Sequence, residues 1–220
     1  MLILKALTIA LPWPLRRWVL STVFGYRLDR TSHIGLAWIF PKELVMQPHS
    51  RIGHFTVCKG LELLQMGSHA SIGRANWITG YPSGSSQHFV HQPERLPCLI
   101  IGDHTSITHR HLIDCTNSVS IGSFTTVAGF RSQILTHSID LESNRQSSAP
   151  IAIGDYCFVG TDCVLLGGSS LPDMSVLGAK SLLNKQYECR FWLYAGTPAR
   201  PVKELERESA YFARSVGRVQ

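Results

Sequence analysis

Large aliphatic residues recur every six positions over most of this 220-residue chain. The most regular block reads IGDYCF VGTDCV LLGGSS LPDMSV LGAKSL, and the first position of each hexad is Ile, Val or Leu. The fifth position of each hexad is small, either Cys or Ser. A period of six matches neither a 3.6-residue helix nor the two-residue alternation of a half-buried strand. It predicts a triangular coil with three short strands, each pointing one large aliphatic side chain inward.

The same period runs through earlier parts of the chain, so the coil extends over most of its length. Turns of 18 residues begin at 34, 52, 72, 101, 121, 153 and 171. They predict a mainly β solenoid of about seven coils, stacked like parallel strands about 4.8 Å apart. Terminal repeats of a solenoid need covers. We therefore expect a covering segment in residues 1–33, the β-helix in 34–188, and a closing GTPAR segment with a helix from Pro201 in 189–220.

Two stretches leave the six-residue period, residues 84–100 and residues 138–150. The second begins directly after His137, in the segment QILTHSIDL. Loops that leave a rigid scaffold are where binding and catalytic side chains tend to lie. A histidine also fits poorly at the fifth position of a hexad, which normally holds a small residue, as in the hexads quoted above. We therefore predict that His137 serves a site built where the repeat is interrupted.

The segment around this interruption resembles a stretch shared by sugar-modifying acetyltransferases of the hexapeptide-repeat family. In galactoside and maltose acetyltransferases a T-H-x-x-D-x-E segment precedes an extruded loop, and Thr136, His137, Asp140 and Glu142 match its spacing. The hexads quoted above resemble the family's acetyl-CoA-binding coils, and GTPARPV resembles its closing G-N-P-A-R/K motif. The resemblance covers most of residues 101–203. It implies a left-handed parallel β-helix, and the handedness rests on the resemblance alone.

The resemblance also implies an acetyl-CoA-dependent acetyltransferase with His137 as its catalytic base. A neutral imidazole, whose ordinary pKa is about 6.5, can take the proton of an attacking hydroxyl. We expect Asp140 or Glu142 to hold the tautomer of His137, although Asp140 fits a loop turn equally well. Glu142 is also a candidate substrate contact. The oxyanion that forms during attack needs a donor, for which Gly160 or a nearby loop amide is the candidate.

The expected acceptor is a carbohydrate, namely a sugar hydroxyl in bacterial surface polysaccharide biosynthesis. N-acetylation of an amino sugar or another amine is the alternative. The chain departs from many polysaccharide-modifying relatives, since Thr136-His137-Ser138-Ile139 lacks the second histidine of their T-H-D-H motif. This departure keeps His137 as the base, but the motif no longer indicates which acceptor is modified.

Candidate contacts with acetyl-CoA lie mainly on the later coils. They are Gly160, Ala179, Lys180, Ser181, Lys185 and Arg200. Basic side chains suit the phosphates of coenzyme A, although an ordinary solvated charge explains Lys180 equally well. His109 and His111 are two residues apart and are expected on one face of a strand. They are either substrate-binding side chains of the acceptor cleft or exposed polar residues.

The formal net charge is +6, which is compatible with an anionic partner. No dense run of Lys or Arg occurs, so no nucleic acid is expected. Six cysteines without a C-x-x-C motif fit a reduced, cytoplasmic chain, and we expect no metal. The apolar run in residues 1–24 is too short to span a bilayer. It predicts either an end cover or a peripheral contact with the inner membrane. The family is usually trimeric, so the resemblance implies a homotrimer with sites between subunits.

Two other functions compete with acetyl transfer. Gamma-type carbonic anhydrases share this kind of repeat and bind zinc with three histidines, and His104 and His109 have their H-x4-H spacing. A third zinc ligand would have to occupy the same hexad position on a neighbouring coil. The hexad count places His69 at the sixth position of its hexad and His104 at the fourth, so the two are out of phase. The second alternative is a non-catalytic β-helix that presents a flat face to ligands. The extruded loops and His137 argue against it.

Overall fold

Short parallel strands wind into a triangular prism with one sheet on each side. The computed structural model describes residues 2–85, 87–217 and 219, and its strands are numbered β1 to β25 along the chain. The first sheet contains, in order, β1 (Arg27–Leu28), β4 (Glu43–Met46), β7 (Leu63–Met66), β10 (Cys98–Ile101), β13 (Val119–Ile121), β18 (Ile151–Ile153) and β21 (Ser170–Leu171).

The second and third sheets repeat this order. The second contains β2 (His33–Ile34), β5 (Arg51–Ile52), β8 (Ser71–Ile72), β11 (Ser106–His109), β14 (Thr126–Phe130), β19 (Phe158–Val159), β22 (Val176–Leu177), β24 (Trp192–Gly196) and β25 (Ala199–Glu204). The third contains β3 (Trp38–Phe40), β6 (Val57–Lys59), β9 (Trp77–Thr79), β12 (Leu112–Asp114), β15 (Gln133–Leu135), β20 (Val164–Leu166) and β23 (Leu182–Leu183). The fold is a left-handed parallel β-helix of seven coils, as the sequence predicted.

The six-residue period follows from the way in which successive coils stack. Ile101 pairs with Ile121 and Ile121 with Ile153, and these inward side chains are buried in one continuous column. Burying each such side chain stabilises the fold by about 1.5–3 kcal/mol. The small fifth-position residues lie at the corners, where Thr125 donates its hydroxyl to the carbonyl of Gly154 on the next coil at 2.7 Å. The repeat therefore encodes both the core and its corners.

One corner carries a column of stacked rings that the hexad count did not predict. The rings of His69 and His104 lie 4.7 Å apart and are parallel within 3°, and His104 stacks on Phe124 at 4.8 Å. The prediction that His69 and His104 are out of phase was therefore wrong. Each precedes the inward residue of its next strand, Ile72 or Ile107, by three positions, and the two extra residues before Ile72 restore the phase. Parallel rings do not converge on one ion, and no cluster of three metal-binding side chains occurs in the described residues.

Two N-terminal helices cover the first coil. They are α1 (Leu2–Leu7) and α2 (Trp13–Thr22), joined through a 3-10 turn at Thr8–Ala10. The buried Arg16 donates to the carbonyls of Gly35 and Ala37 at 2.8 and 2.7 Å, and Leu20 packs into the core. These contacts are those of an end cover. None of the helices in the described residues is long and apolar enough to cross a bilayer.

The opposite end closes with an antiparallel strand pair and a short helix. β24 pairs with β25, and the chain then turns into α3 (Ala210–Ala213). The helix predicted from Pro201 is therefore shorter and begins later, because residues 199–204 pair with β24 instead. Tyr211 donates its hydroxyl to the carbonyl of Cys157 at 2.9 Å, so this segment packs back on the outside of the prism.

Candidate active site

Both interruptions of the repeat leave the prism at the same corner. The first loop, residues 80–97, connects β9 to β10, and the second loop, residues 136–150, connects β15 to β18. Each therefore runs from the third sheet to the first. β12 lies between β9 and β15 in the third sheet. The corner that follows β12, one coil below the second loop, thus lies between the bases of both loops.

His137 begins the second loop, and its imidazole meets a carboxylate from the coil below. The distance from His137 Nδ1 to Asp114 Oδ2 is 2.8 Å. Asp114 is buried, whereas the His137 side chain is 44 % exposed. We call this pair the dyad. Because Nδ1 faces the carboxylate, Nε2 is the nitrogen left to exchange a proton with a bound molecule.

A set of donors surrounds the carboxylate of the dyad. Thr116 donates its backbone N–H and hydroxyl to Oδ1 of Asp114, at 3.2 and 2.6 Å. Thr136 donates in the same way to Oδ2, at 3.0 and 2.8 Å. Burial favours the neutral acid, but hydrogen bonds from Thr116, His137 and Thr136 outweigh it and hold the pKa of Asp114 below its ordinary value. Asp114 is therefore an ionised, fixed acceptor for the imidazole at neutral pH.

The sequence analysis did not single out Asp114. It ends β12, and its cross-strand partner is Leu135, two residues before His137. Asp114 and Leu135 are 21 residues apart, which is one 18-residue coil plus three inserted residues. The hexad count contains only two of these insertions, because the third is a shift in register between β11 and β14. That count places Asn117, and not Asp114, one coil away from His137.

Asp140 and Glu142 lie at the far end of the second loop. This loop contains an antiparallel hairpin formed by β16 (His137–Asp140) and β17 (Arg145–Ser148). Asp140 Oδ1 accepts the backbone N–H groups of Glu142 and Ser143, at 3.0 and 3.2 Å. Of the two alternatives for Asp140, the structure therefore shows the turn contact. The carboxylate on His137 Nδ1 belongs to Asp114 and not to Asp140 or Glu142.

The first loop is clamped onto this hairpin. Gln92 Oε1 accepts from the backbone N–H and hydroxyl of Ser148 at 3.0 and 2.8 Å, and His88 Nδ1 lies 2.8 Å from Gln146 Oε1. The two loops form an open cleft of about 590 Å³, which the dyad does not line but which includes Phe89, the ring that contacts His137. The residues that line the cleft are Gln87, His88, Phe89, Val90, His91, Asn144, Arg145 and Gln146.

A second pocket, of about 370 Å³, includes His137 itself together with Gly167 and Asn184. A Cβ atom on Gly167 would lie 2.7 Å from the carbonyl oxygen of Thr136, so only glycine fits this close approach. Within the described part of the chain, the N–H of Gly167 donates to no backbone carbonyl, although it follows β20. A backbone donor and the imidazole therefore line the same pocket.

The candidate cofactor residues separate into two groups. Gly160 donates its N–H to the carbonyl of Leu177 at 2.8 Å, so this amide is not free for an oxyanion. Ser181 is buried and accepts the N–H of Gly196 at 3.1 Å, which is a contact between coils. The exposed candidates are Ala179, Lys180, Lys185 and Arg200. Of these, Lys185 follows β23 and lies at the same corner of the prism as His137, whereas Ala179 and Lys180 lie at the next corner.

His109 and His111 do not share a face. His109 ends β11 and accepts the N–H of Arg74 at 3.0 Å, and the chain then turns at Arg110, whose φ is 57°. His111 is buried, and its Nδ1 accepts the N–H of Ser132 at 3.1 Å. Burial lowers the pKa of His111 to about 4. Both lie at the corner between the second and third sheets, so the structure does not bring either to His137.

Solved structures with this architecture are hexapeptide-repeat acetyltransferases. A maltose O-acetyltransferase from Clostridium difficile is 18% identical, with 64% of this chain and 69% of that chain covered at a TM-score of 0.52. A polysialic acid O-acetyltransferase is 18% identical over 84% of this chain and 90% of that one, also at 0.52. A hexapeptide-repeat acetyltransferase from Vibrio cholerae is 20% identical over 93% and 89%, at 0.50.

These likenesses confirm the fold that the sequence predicted. No protein-family model matches the sequence. No curated protein matches it significantly either.

Proposed function

We propose that this protein is an acetyl-CoA-dependent O-acetyltransferase and that His137 is its general base. The observation that carries the proposal is the dyad, a half-exposed imidazole held at 2.8 Å by a buried, ionised carboxylate. His137 lines a pocket of about 370 Å³ at the base of a loop that leaves a rigid β-helix. A fold shared with acetyltransferases supports the same assignment.

The residues of the site suit proton transfer during acyl transfer. Acetyl-CoA supplies the acetyl group as a thioester. His137 Nε2 takes the hydroxyl proton as the acceptor oxygen bonds to the thioester carbonyl carbon, and Asp114 stabilises the imidazolium that forms. When the C–S bond breaks, the same proton passes from His137 to the departing sulfur. The N–H of Gly167 is the candidate donor to the oxyanion, in place of Gly160.

The exposed Lys185 and Arg200 are our candidates for the phosphates of coenzyme A. Both are cations near the C-terminal end of the prism, and Lys185 lies at the corner that carries His137. Arginine and lysine both bind phosphate, although only the guanidinium does so with two parallel hydrogen bonds. Lys180 lies one corner away and remains a candidate only if coenzyme A extends around the prism.

We further propose a sugar hydroxyl of a surface polysaccharide or its precursor as the acceptor. Amide and imidazole side chains line the cleft, and such groups form hydrogen bonds with hydroxyls. An acceptor screen with acetyl-CoA, measured as release of free thiol, tests this assignment. Sugars are expected to accelerate thiol release above hydrolysis. If only amines accelerate thiol release, the protein is an N-acetyltransferase and not an O-acetyltransferase.

We propose a homotrimer that works in the cytoplasm. On the outside of the third sheet Trp38, Trp77 and Leu112 lie in register and are exposed, which is the kind of apolar patch that subunit interfaces bury. Light scattering should give about three times the mass of one chain. A monomer at all working concentrations would contradict the trimer. The N-terminal helices already pack on the first coil, so the proposal does not require a peripheral contact with the membrane.

A further inference from the structure

Arg95 is an almost fully buried arginine in the first loop. Its guanidinium donates to three backbone carbonyls, those of Tyr81, Pro82 and Thr116, at 2.5, 3.0 and 2.5 Å. Two of these carbonyls belong to the first loop itself, whereas Thr116 belongs to the corner that carries Asp114. Its Nε is buried without a hydrogen-bond partner in the described residues, so the three bonds offset only part of the several kcal/mol that removing the charge from water costs. The same three bonds fix the first loop to the corner of the dyad.

Arg95 reaches the dyad along one path through Thr116. The carbonyl of Thr116 accepts from the guanidinium, and the N–H and hydroxyl of Thr116 donate to Asp114 Oδ1. Asp114 Oδ2 in turn lies 2.8 Å from His137 Nδ1. Displacement of Thr116 would therefore loosen two of the donors that fix the carboxylate.

A second path runs through an aromatic ring. The guanidinium carbon lies 4.4 Å from the ring centre of Phe89, a favourable cation–π distance. The same ring meets the imidazole of His137 edge-on, with centres 6.2 Å apart and planes at 87°, and it lies 5.9 Å from the ring of Tyr81. Phe89 is buried and has a φ of 57°, a conformation that is uncommon for a residue with a side chain. Its placement therefore depends on packing, to which Arg95 and Tyr81 both contribute.

We propose that Arg95 is a positioning residue, which holds the imidazole of His137 from the Asp114 side through Thr116 and from the cleft side through Phe89. It touches no reacting atom in this arrangement. Burial lowers the pKa of Arg95, and the nearby charges of Asp114 and Glu62 oppose that shift. The inference rests on the proposed role of His137.

The test combines turnover with a readout that needs no activity. Arg95→Met is expected to lower kcat about 10- to 100-fold, the range that a misplaced catalytic group costs, with the KM for acetyl-CoA unchanged. Arg95→Lys should restore part of this loss, because an ammonium keeps the charge without the planar fork. In a His137→Ala background, Arg95→Met should have no further effect on the residual rate, because its path to the reaction has been removed.

NMR of the histidine rings supplies the second readout. The ring signals of His137, assigned by comparison with His137→Ala, should move in Arg95→Met, and its Nδ1 proton should exchange faster with water. The matched control is Arg16→Met. Arg16 is also buried and bound to two carbonyls, but it lies in helix α2, which covers the first coil, so its removal should leave the His137 signals unchanged.

The outcomes separate this inference from the proposed function. Unchanged His137 signals and unchanged kcat in folded Arg95→Met would overturn the positioning role while leaving His137 as base. Normal turnover in His137→Ala would instead overturn the proposed function. If Arg95→Met does not fold, Phe89→Leu takes its place, since it keeps Arg95 and its three carbonyls. A Phe89→Leu variant with wild-type His137 signals would then count against the inference.

Discussion

Two corners of the same prism hold a histidine in opposite ways. At the corner between the second and third sheets, His111 is buried and bonded to a neutral hydroxyl and a backbone N–H. At the corner between the third and first sheets, the carboxylate is buried and His137 stays half exposed. In the first case burial lowers the pKa of the imidazole, and in the second the buried group is an acid that its donors keep ionised. The two corners therefore differ in the group that contacts the imidazole and in which of the two groups is buried. Those two differences, more than the presence of a histidine, decide whether the imidazole can exchange a proton with a bound molecule.

The largest expected effect is the loss of turnover in His137→Ala. We expect turnover to fall by about 10²–10⁴-fold, the usual contribution of a general base. Folding and affinity for acetyl-CoA should be almost unchanged, because the side chain lies outside the aliphatic core. Free-thiol release and thermal unfolding measure the two quantities. A folded variant that binds acetyl-CoA and keeps normal turnover would show that His137 is not the general base, so the two corners would not differ in function.

Asp114→Asn tests whether the buried carboxylate is what makes this corner chemically active. An amide has nearly the same shape but cannot stabilise an imidazolium, so we expect turnover to fall by roughly 10²-fold or more. The variant also weakens the charge-assisted hydrogen bonds of Thr116 and Thr136, worth about 1.5–3 kcal/mol each. Steady-state kinetics on protein checked by circular dichroism separates these effects. Equal rates for Asp114→Asn and the wild type would show that His137 works without its carboxylate.

The other corner predicts a stability effect with a defined pH dependence. Burial depresses the pKa of His111 to about 4, so the unfolded chain takes up a proton below about pH 6.5 that the folded chain does not. The contribution of the neutral His111 to the free energy of unfolding is therefore fully present above pH 6.5. It falls as the pH drops towards 4, by at most roughly 3 kcal/mol. Comparing Tm at pH 7.5 and 5 should show a smaller fall in His111→Gln than in the wild type. An identical fall in both proteins would mean that His111 does not titrate as its burial requires.

The smallest effect is expected at Asp140, which is the acidic candidate closest to His137 in the sequence. Asp140→Ala removes only the acceptor of two backbone N–H groups in an exposed hairpin turn. We expect turnover to change by less than about threefold and thermal stability to stay close to that of the wild type, as for a surface substitution. Steady-state kinetics of Asp140→Ala and Asp114→Asn, measured side by side, compare the two acids directly. A loss at Asp140 as large as that at Asp114 would show that the hairpin acid takes part in the reaction.

The sequence by itself determined the coil, its seven repeats and the place where the repeat is interrupted. The reason is local, because one inward aliphatic and one small corner residue per hexad are set by neighbours in sequence. It also singled out His137 by the interruption that follows it, although the inward residue of that hexad is Ile134 and not its first residue, Gln133.

Only the tertiary structure decided which side chains meet at the site. Asp114 reaches His137 because strands 21 residues apart are stacked in register, and Arg95 contacts Thr116 because the first loop folds back onto the next coil. The turn at Arg110 separates His109 from His111, which a two-residue spacing had placed together. Contacts between coils depend on register and on inserted residues, so a pattern read along one coil does not contain them.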